Sequence, residues 1–249
     1  MAPALVALAL LGAWEAVVRL GWVDELLLAA PTQVGQALWE DRALLAADLG
    51  VTAMEVLLGL ALATVLGLAL AALMHVAAPL RRALGPLVIG SQAVPVPVIA
   101  PLLVLLLGFG LGPKLLLVAL VCFFPVTINT LDGLADVDPE QRKLMRSLGA
   151  GRWRTLRLLE APAALPAAFT GVRVAAAVAV IGAVFAEWAG ASEGLGHLLL
   201  VATPALETPR AFAAVALLCA LAVSLYAALT LLERRVLPWA HRSRARSLA

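Results

Sequence analysis

The longest hydrophilic interval of the chain runs from Asp136 to Arg173, DVDPEQRKLMRSLGAGRWRTLRLLEAPAALPAAFTGVR, and long apolar runs flank it on both sides. It constrains the fold because nearly everything around it is too apolar for water. Hydrophobic residues make up 63% of the chain and charged residues 14%, against about 45–50% and about 25% in a soluble domain. Such a chain is an integral membrane protein. Lipid offers no partner to a free backbone N–H or C=O, so the apolar runs must cross as helices. The expected fold class is all-α, a polytopic bundle with one hydrophilic loop at about 132–167. That loop reads as a helix, a glycine break at Gly149–Gly151, a second helix, and a proline-bounded entry at Pro162 into the next apolar run. It carries Arg142, Lys143, Arg146, Arg152, Arg154 and Arg157. A basic two-helix loop between two spans is suited to docking a cytoplasmic partner, and it holds no group that makes or breaks bonds.

Six spans are expected. Pro3–Leu20 is the first; it lacks the basic start of a signal peptide and reads as a retained helix. Gly21–Asp48 is polar, and Val34, Leu38 and Leu45 recur in it at helical spacing, as in an amphipathic helix on the outer interface. Leu49–Val76 is the second span. Its Gly59, Ala63, Gly67 and Ala71 fall four apart, so a face of small residues brings backbones close. Glu55 is either interfacial or turned into the bundle. The third span, about Ala83–Leu107, contains Pro86, Pro95, Pro97 and Pro101. Each proline removes a backbone donor, so a span this broken either borders a translocation path or is kinked only to pack. GFGLGPK at Gly108–Lys114 makes a tight turn. The fourth span is Leu115 to about Leu131. The fifth, about Ala168–Ala189, repeats the four-residue spacing at Gly171, Ala175, Ala179 and Ala183. The sixth is Arg210–Leu232, so the membrane core covers about 49–232 within a single unit of 1–249.

Charge sets the orientation. Arg81, Arg82, the basic residues of the central loop, and Arg234, Arg235, Arg242, Arg244 and Arg246 fall on one side; Arg19, Arg42, Lys114 and Arg210 fall on the other. Cytoplasmic loops collect Lys and Arg, so both termini are expected in the cytoplasm. Cys122 and Cys219 lie in apolar runs and read as small hydrophobes, while His75, His197 and His241 have no ligand spacing, so no metal site is expected. No phosphate-cradling Gly-x-x-x-x-Gly-Lys-Ser/Thr run occurs. The intramembrane acids Glu55, Glu187 and Glu15 are few for a proton-driven carrier. A transporter of this composition needs an outside engine; a membrane scaffold or an independent secondary carrier are the other readings.

At the central loop the chain resembles the permease subunits of binding-protein-dependent ABC importers. Their loop carries Glu-Ala-Ala, three residues, Gly, nine residues, then Ile-x-Leu-Pro. Aligned on Gly149, the first positions fall on Lys143, Leu144 and Met145, and the last on Leu159, Glu160, Ala161 and Pro162. Gly149 and Pro162 match, the apolar slots are kept in kind, and the acidic slot is Lys143. SLGAGRWRT, PAALPAAFTGVRVA, IGAVFAEWAGASEGLGHLL, LLAAPTQVGQAL and PLLVLLLGFGLGPK are similar to the nitrate/taurine/sulfonate branch. FFPVTINTLDGL and the Ala186-Glu187-Trp188 run look most like members that import thiamine-precursor pyrimidines or riboflavin.

The resemblance implies the type I importer permease fold in the cell inner membrane. It implies a second permease copy (a homodimer, the simpler expectation), two ATPase subunits, an extracytoplasmic binding protein, and no nucleic acid. ATP and Mg would sit on the ATPase, with no cofactor on this chain. A helix around Arg146–Arg157 would insert into the ATPase, with Ala150, Gly151, Arg152 and Trp153 in the contact. Pro95, Pro97, Pro101 and Glu187 are the candidate path residues. Glu187 is read as a gate, a solute contact, or a residue satisfied by interfacial water.

Overall fold

A computed structural model describes residues 2–239. His241, Arg242, Arg244 and Arg246, counted above, lie outside the described residues. Within them every regular element is helical, as the patterning required. The order is α1 (Ala2–Arg19), α2 (Pro31–Glu40), α3 (Arg42–Val76), α4 (Ala78–Gly90), α5 (Val96–Leu107), α6 (Leu111–Ala135), α7 (Pro139–Ser147), α8 (Arg152–Thr155), α9 (Ala161–Gly190), α10 (Leu195–Ala202) and α11 (Thr208–Val236). Four helices are long and apolar enough to cross a bilayer alone: α3, α6, the continuous helix Arg152–Gly190, and α11. The pair α4 and α5 makes a fifth if taken as one bent span. The remaining expected span is α1, of 18 residues; that is about 27 Å at the helical rise, close to the ~30 Å of the bilayer core.

The bundle is built around α6, with α3 on one side and α9 on the other. In lipid the hydrophobic effect does not drive helices together, so close packing must. The two stripes of small residues supply it. Gly59, Ala63, Gly67 and Ala71 of α3 are buried, as are Gly171, Ala175, Ala179 and Ala183 of α9. A Cβ on Gly59 would lie 2.5 Å from Val118 Cβ, and one on Gly171 would lie 2.6 Å from the Pro125 carbonyl oxygen. Gly59 faces Val118 and Gly67 faces Val126, so α3 and α6 run parallel; Gly171 faces Pro125 and Gly182 faces Val118, so α9 runs antiparallel to both. Two parallel neighbours require the chain between them to recross the bilayer, which assigns one net crossing to the bent pair of α4 and α5.

That pair departs from a kinked single span. A short 3₁₀ turn at Ser91–Ala93 follows α4, Pro95 is extended at φ −66° and ψ 119°, and α5 leaves at 103° to α4. Pro95 and Pro97 cannot donate to a preceding turn, so no ladder crosses the break. Pro86 and Pro101 sit inside α4 and α5 without ending them.

Two boundaries also differ from the sequence reading. The second span starts at Arg42 rather than Leu49, so Leu45 packs from α3 and the interfacial helix is only α2, with Val34 and Ala37 buried. Pro162 does not bound the fifth span. The helix runs unbroken from Arg152, and the turn Leu156–Glu160 is wound as a π-helix with Ala161 N–H donating to Leu156 O. Widening the ladder one residue ahead of a proline absorbs its missing donor and ring bulk.

Candidate functional site

At the end of the bundle where α3 and α6 finish, α7 forms because Asp138 caps it. The Asp138 carboxylate accepts from Glu140 N–H at 2.8 Å, and Pro139 takes the first helical position. It stops at Gly149, which has φ +74°, with Ala150 N–H donating back to Met145 O at 3.0 Å. This is the left-handed glycine close of a helix. The chain then restarts at Arg152. No helix spans Arg146–Arg157: α7 ends at Ser147, a tight Leu148–Gly151 turn follows, and the chain is helical again from Arg152.

Behind α7 lies a clasp that was not read from the sequence. Glu160, 5% exposed, accepts from Arg142 Nε at 2.6 Å and faces His75 Nε2 at 3.0 Å. Arg142 also donates to the Leu134 and Ala135 carbonyls, and Arg152 donates to Val76 O at 2.9 Å. These carbonyls are the unpaired C-terminal acceptors of α6 and α3, where a cation is favoured. One carboxylate and two guanidinium groups therefore tie α3, α6, α7 and the base of α9 together. A cavity of about 590 Å³ opens beside the clasp, lined among others by His75, Arg142, Arg146 and Arg152. The only sequence signal was Glu160 itself, a lone acid in a basic stretch.

The remaining loop candidates face outward. Lys143, Arg146, Gly149, Gly151 and Pro162 are exposed, and Met145 and Ala150 are half-buried. Leu144 is 60% exposed, Leu148 70% and Trp153 60%. These apolar side chains are free of their own bundle and stand exposed in the same loop as the exposed cations Lys143, Arg146 and Arg154.

The opposite end of the bundle holds a second polar cluster. Glu187 is fully buried and accepts from Thr52 Oγ1 at 2.7 Å, Gly196 N–H at 2.5 Å and His197 N–H at 3.1 Å. Asp48 accepts from Gly194 N–H at 2.9 Å, and Thr52 Oγ1 accepts from Leu195 N–H at 2.9 Å. Three side chains thus satisfy the first N–H groups of α10 and fasten it to α3 and α9. Glu187 carries no free face here: protein donors satisfy it rather than interfacial water. Gly194, at φ +112°, and Gly196 are required at their positions, because a Cβ on either would meet the Glu187 carboxylate at 2.5 to 2.7 Å. Beside it Glu55 turns into the bundle and pairs with Lys114 Nζ at 2.6 Å. Pro95, Pro97 and Pro101 are all exposed, on the outward side of α5, while Ala100 and Leu103 hold α5 to Leu117 and Ala186. The prolines and Glu187 do not share a surface.

Comparison with known proteins identifies the family. Residues 63–238 match the family described as binding-protein-dependent transport system inner membrane component. The chain is 36% identical to a probable ABC transporter permease protein of Haemophilus influenzae over 224 residues, 90% of this chain and 91% of that one. It is 41% identical over 160 residues to the riboflavin transport system permease protein RibX of Chloroflexus aurantiacus, covering 64% of this chain and 60% of that one. It is 35% identical over 238 residues to the formylaminopyrimidine transport permease protein ThiX of Halalkalibacterium halodurans, covering 95% of each. With its two stripes of small residues and its basic loop between two spans, the chain belongs to the binding-protein-dependent ABC transporter permease family.

Proposed function

We propose that this chain is the permease of an ATP-driven importer that takes a small organic solute from an extracytoplasmic binding protein and releases it into the cytoplasm. The solute class is a thiamine-precursor pyrimidine or a riboflavin-like heterocycle, with sulfonate, taurine and nitrate as the wider branch. Two permease copies sit on two ATPase subunits, which hold the ATP and Mg; this chain binds neither. Both termini face the cytoplasm. α7 and the Gly149–Trp153 turn dock on the ATPase, and closure of the ATPase pair pulls the permeases between inward-open and outward-open states. Each ligand shifts that equilibrium only by its unequal affinity for the two states. The Pro95–Pro101 face of α5 borders the path between the two copies.

The observation that carries this reading is the α7 surface. Leu144, Leu148 and Trp153 stand exposed beyond the apolar bundle, while Arg142 and Glu160 together lock α7 to α3, α6 and the base of α9. A rigid lever with an uncovered apolar tip transmits motion and does no chemistry. The solute class is supported by the riboflavin and formylaminopyrimidine relatives. The test is reconstitution in liposomes with the ATPase and binding protein of the same transport system. ATP hydrolysis is then followed as pyrimidines, flavins and sulfonates are added. Stimulation by a pyrimidine or flavin is expected. Solute uptake without the ATPase would replace the importer with an independent carrier.

A further inference from the structure

The charge of the α7 surface specifies its partner. Past the first turn of α7 the exposed titratable groups are all cations: Lys143, Arg146, Arg152, Arg154 and Arg157. Among the described residues, Lys143, Arg146, Arg154 and Arg157 form no ion pair. The exposed acids Asp136, Asp138 and Glu140 all lie at or before the first turn of α7, and Asp138 is occupied as its cap. Glu160, the one acid deeper in the loop, is buried and already held by Arg142 and His75. The cavity of about 590 Å³ is lined by Arg142, Arg146 and Arg152 against a single acid, the already paired Glu160. A loop whose exposed charges are unpaired cations, with apolar side chains exposed among them, is complementary to a partner surface that carries carboxylates, and like-charged partners are rejected by the same cations.

We infer that the exposed loop from α7 through Arg157, with its unpaired Lys143, Arg146, Arg154 and Arg157, docks an ATPase subunit whose contact face is acidic, with carboxylates set against Lys143 and Arg146. This rests on the coupling role proposed above and adds the polarity of the contact. It follows that the permease is matched to its own ATPase by charge. An ATPase with a basic or neutral contact face does not assemble with it.

The test measures affinity between the permease in phosphatidylcholine nanodiscs and the ATPase of its own transport system across a range of salt concentrations. Wild-type binding is expected to weaken steadily as salt rises. The double substitution K143E/R146E is expected to weaken binding by roughly tenfold or more at low salt, as loss of well-placed charge pairs does. K143M/R146M is expected to fall between the two with a shallower salt dependence. Both side chains are exposed and unpaired, so the variants keep the fold, which circular dichroism and gel filtration verify. L144A is expected to weaken binding without changing its salt dependence. Binding that ignores salt, or that K143E/R146E leaves equal or stronger, overturns the acidic partner while leaving the coupling role intact. Salt-dependent binding seen only when phosphatidylglycerol is added assigns the cations to the lipid surface and also overturns it. No binding of the folded wild type at any salt removes the coupling role itself.

Discussion

Glu55 and Lys114 meet 2.6 Å apart inside the bundle, and Glu55 is 1% exposed. Two charges drawn out of water are costly, and their attraction compensates only while both are present. Lys114→Met therefore leaves a buried carboxylate unpaired and is expected to destabilise by about 3–5 kcal/mol. The double variant Lys114→Met with Glu55→Leu is expected to recover most of that loss. Denaturant unfolding in micelles checks both, and a double variant no more stable than Lys114→Met alone would show that the pair is not what Lys114 supports. The sequence offered Glu55 as interfacial or bundle-facing and put Lys114 at the end of a turn. Nothing local joins them, because the partners are 59 residues apart. Glu187 illustrates the same limit. Its place near the end of a span left it as a gate, a solute contact or a residue satisfied by interfacial water, and its partners Thr52, Gly196 and His197 all lie outside that span. A residue's burial is written in its own span; its partner is written elsewhere in the chain.

Elements were more legible than residues, because a stripe is a local property. The four-residue spacing in α3 and α9 gave the faces that pack on α6. The same stripe continues upward through Thr52 and Asp48, which could have located the polar fastening of α10. Size at the contact follows from position on the stripe. Gly59→Ala puts a methyl 2.5 Å from Val118 Cβ and is expected to destabilise by about 1–3 kcal/mol, as overpacking does. Gly50→Ala, in the same helix with nothing within 4 Å, is expected to be neutral or to stabilise by up to about 1 kcal/mol through helix propensity. Thermal unfolding of the two variants side by side checks the sign difference; equal shifts would mean α3 does not approach α6 that closely. The prolines were legible as breaks but not as angles. Pro95 ends a ladder and turns the chain by 103°, while Pro162 is absorbed by a π turn with no break at all. Proline states which bond is lost, and the neighbouring turns decide how the helix answers.

At the scale of the whole molecule, handedness of traversal is the quantity that neither composition nor any one helix contains. Charge bias in the loops gave an orientation by statistics; the parallel packing of α3 on α6 constrains the crossings by geometry. Gly59 against Val118 and Gly67 against Val126 force the α4–α5 pair to bring the chain back to the side where α3 began, despite its 103° bend. Arg82, which follows α3, and Gly112, which begins α6, must then lie on opposite faces of the membrane. Single cysteines at these sites decide it, in a background where Cys122 and Cys219 are replaced by alanine. Both positions are exposed, and a Cβ at Gly112 meets nothing within 4 Å. A membrane-impermeant maleimide added to spheroplasts is expected to label Gly112→Cys and spare Arg82→Cys. Inverted vesicles are expected to reverse the pattern, with Lys143→Cys labelled alongside Arg82→Cys. Labelling of Arg82→Cys and Gly112→Cys from the same face would make α4 and α5 a re-entrant hairpin, and α3 and α6 could then not run parallel. Lys143→Cys labelled from outside would invert the orientation and remove the docking surface from the side where ATP is hydrolysed.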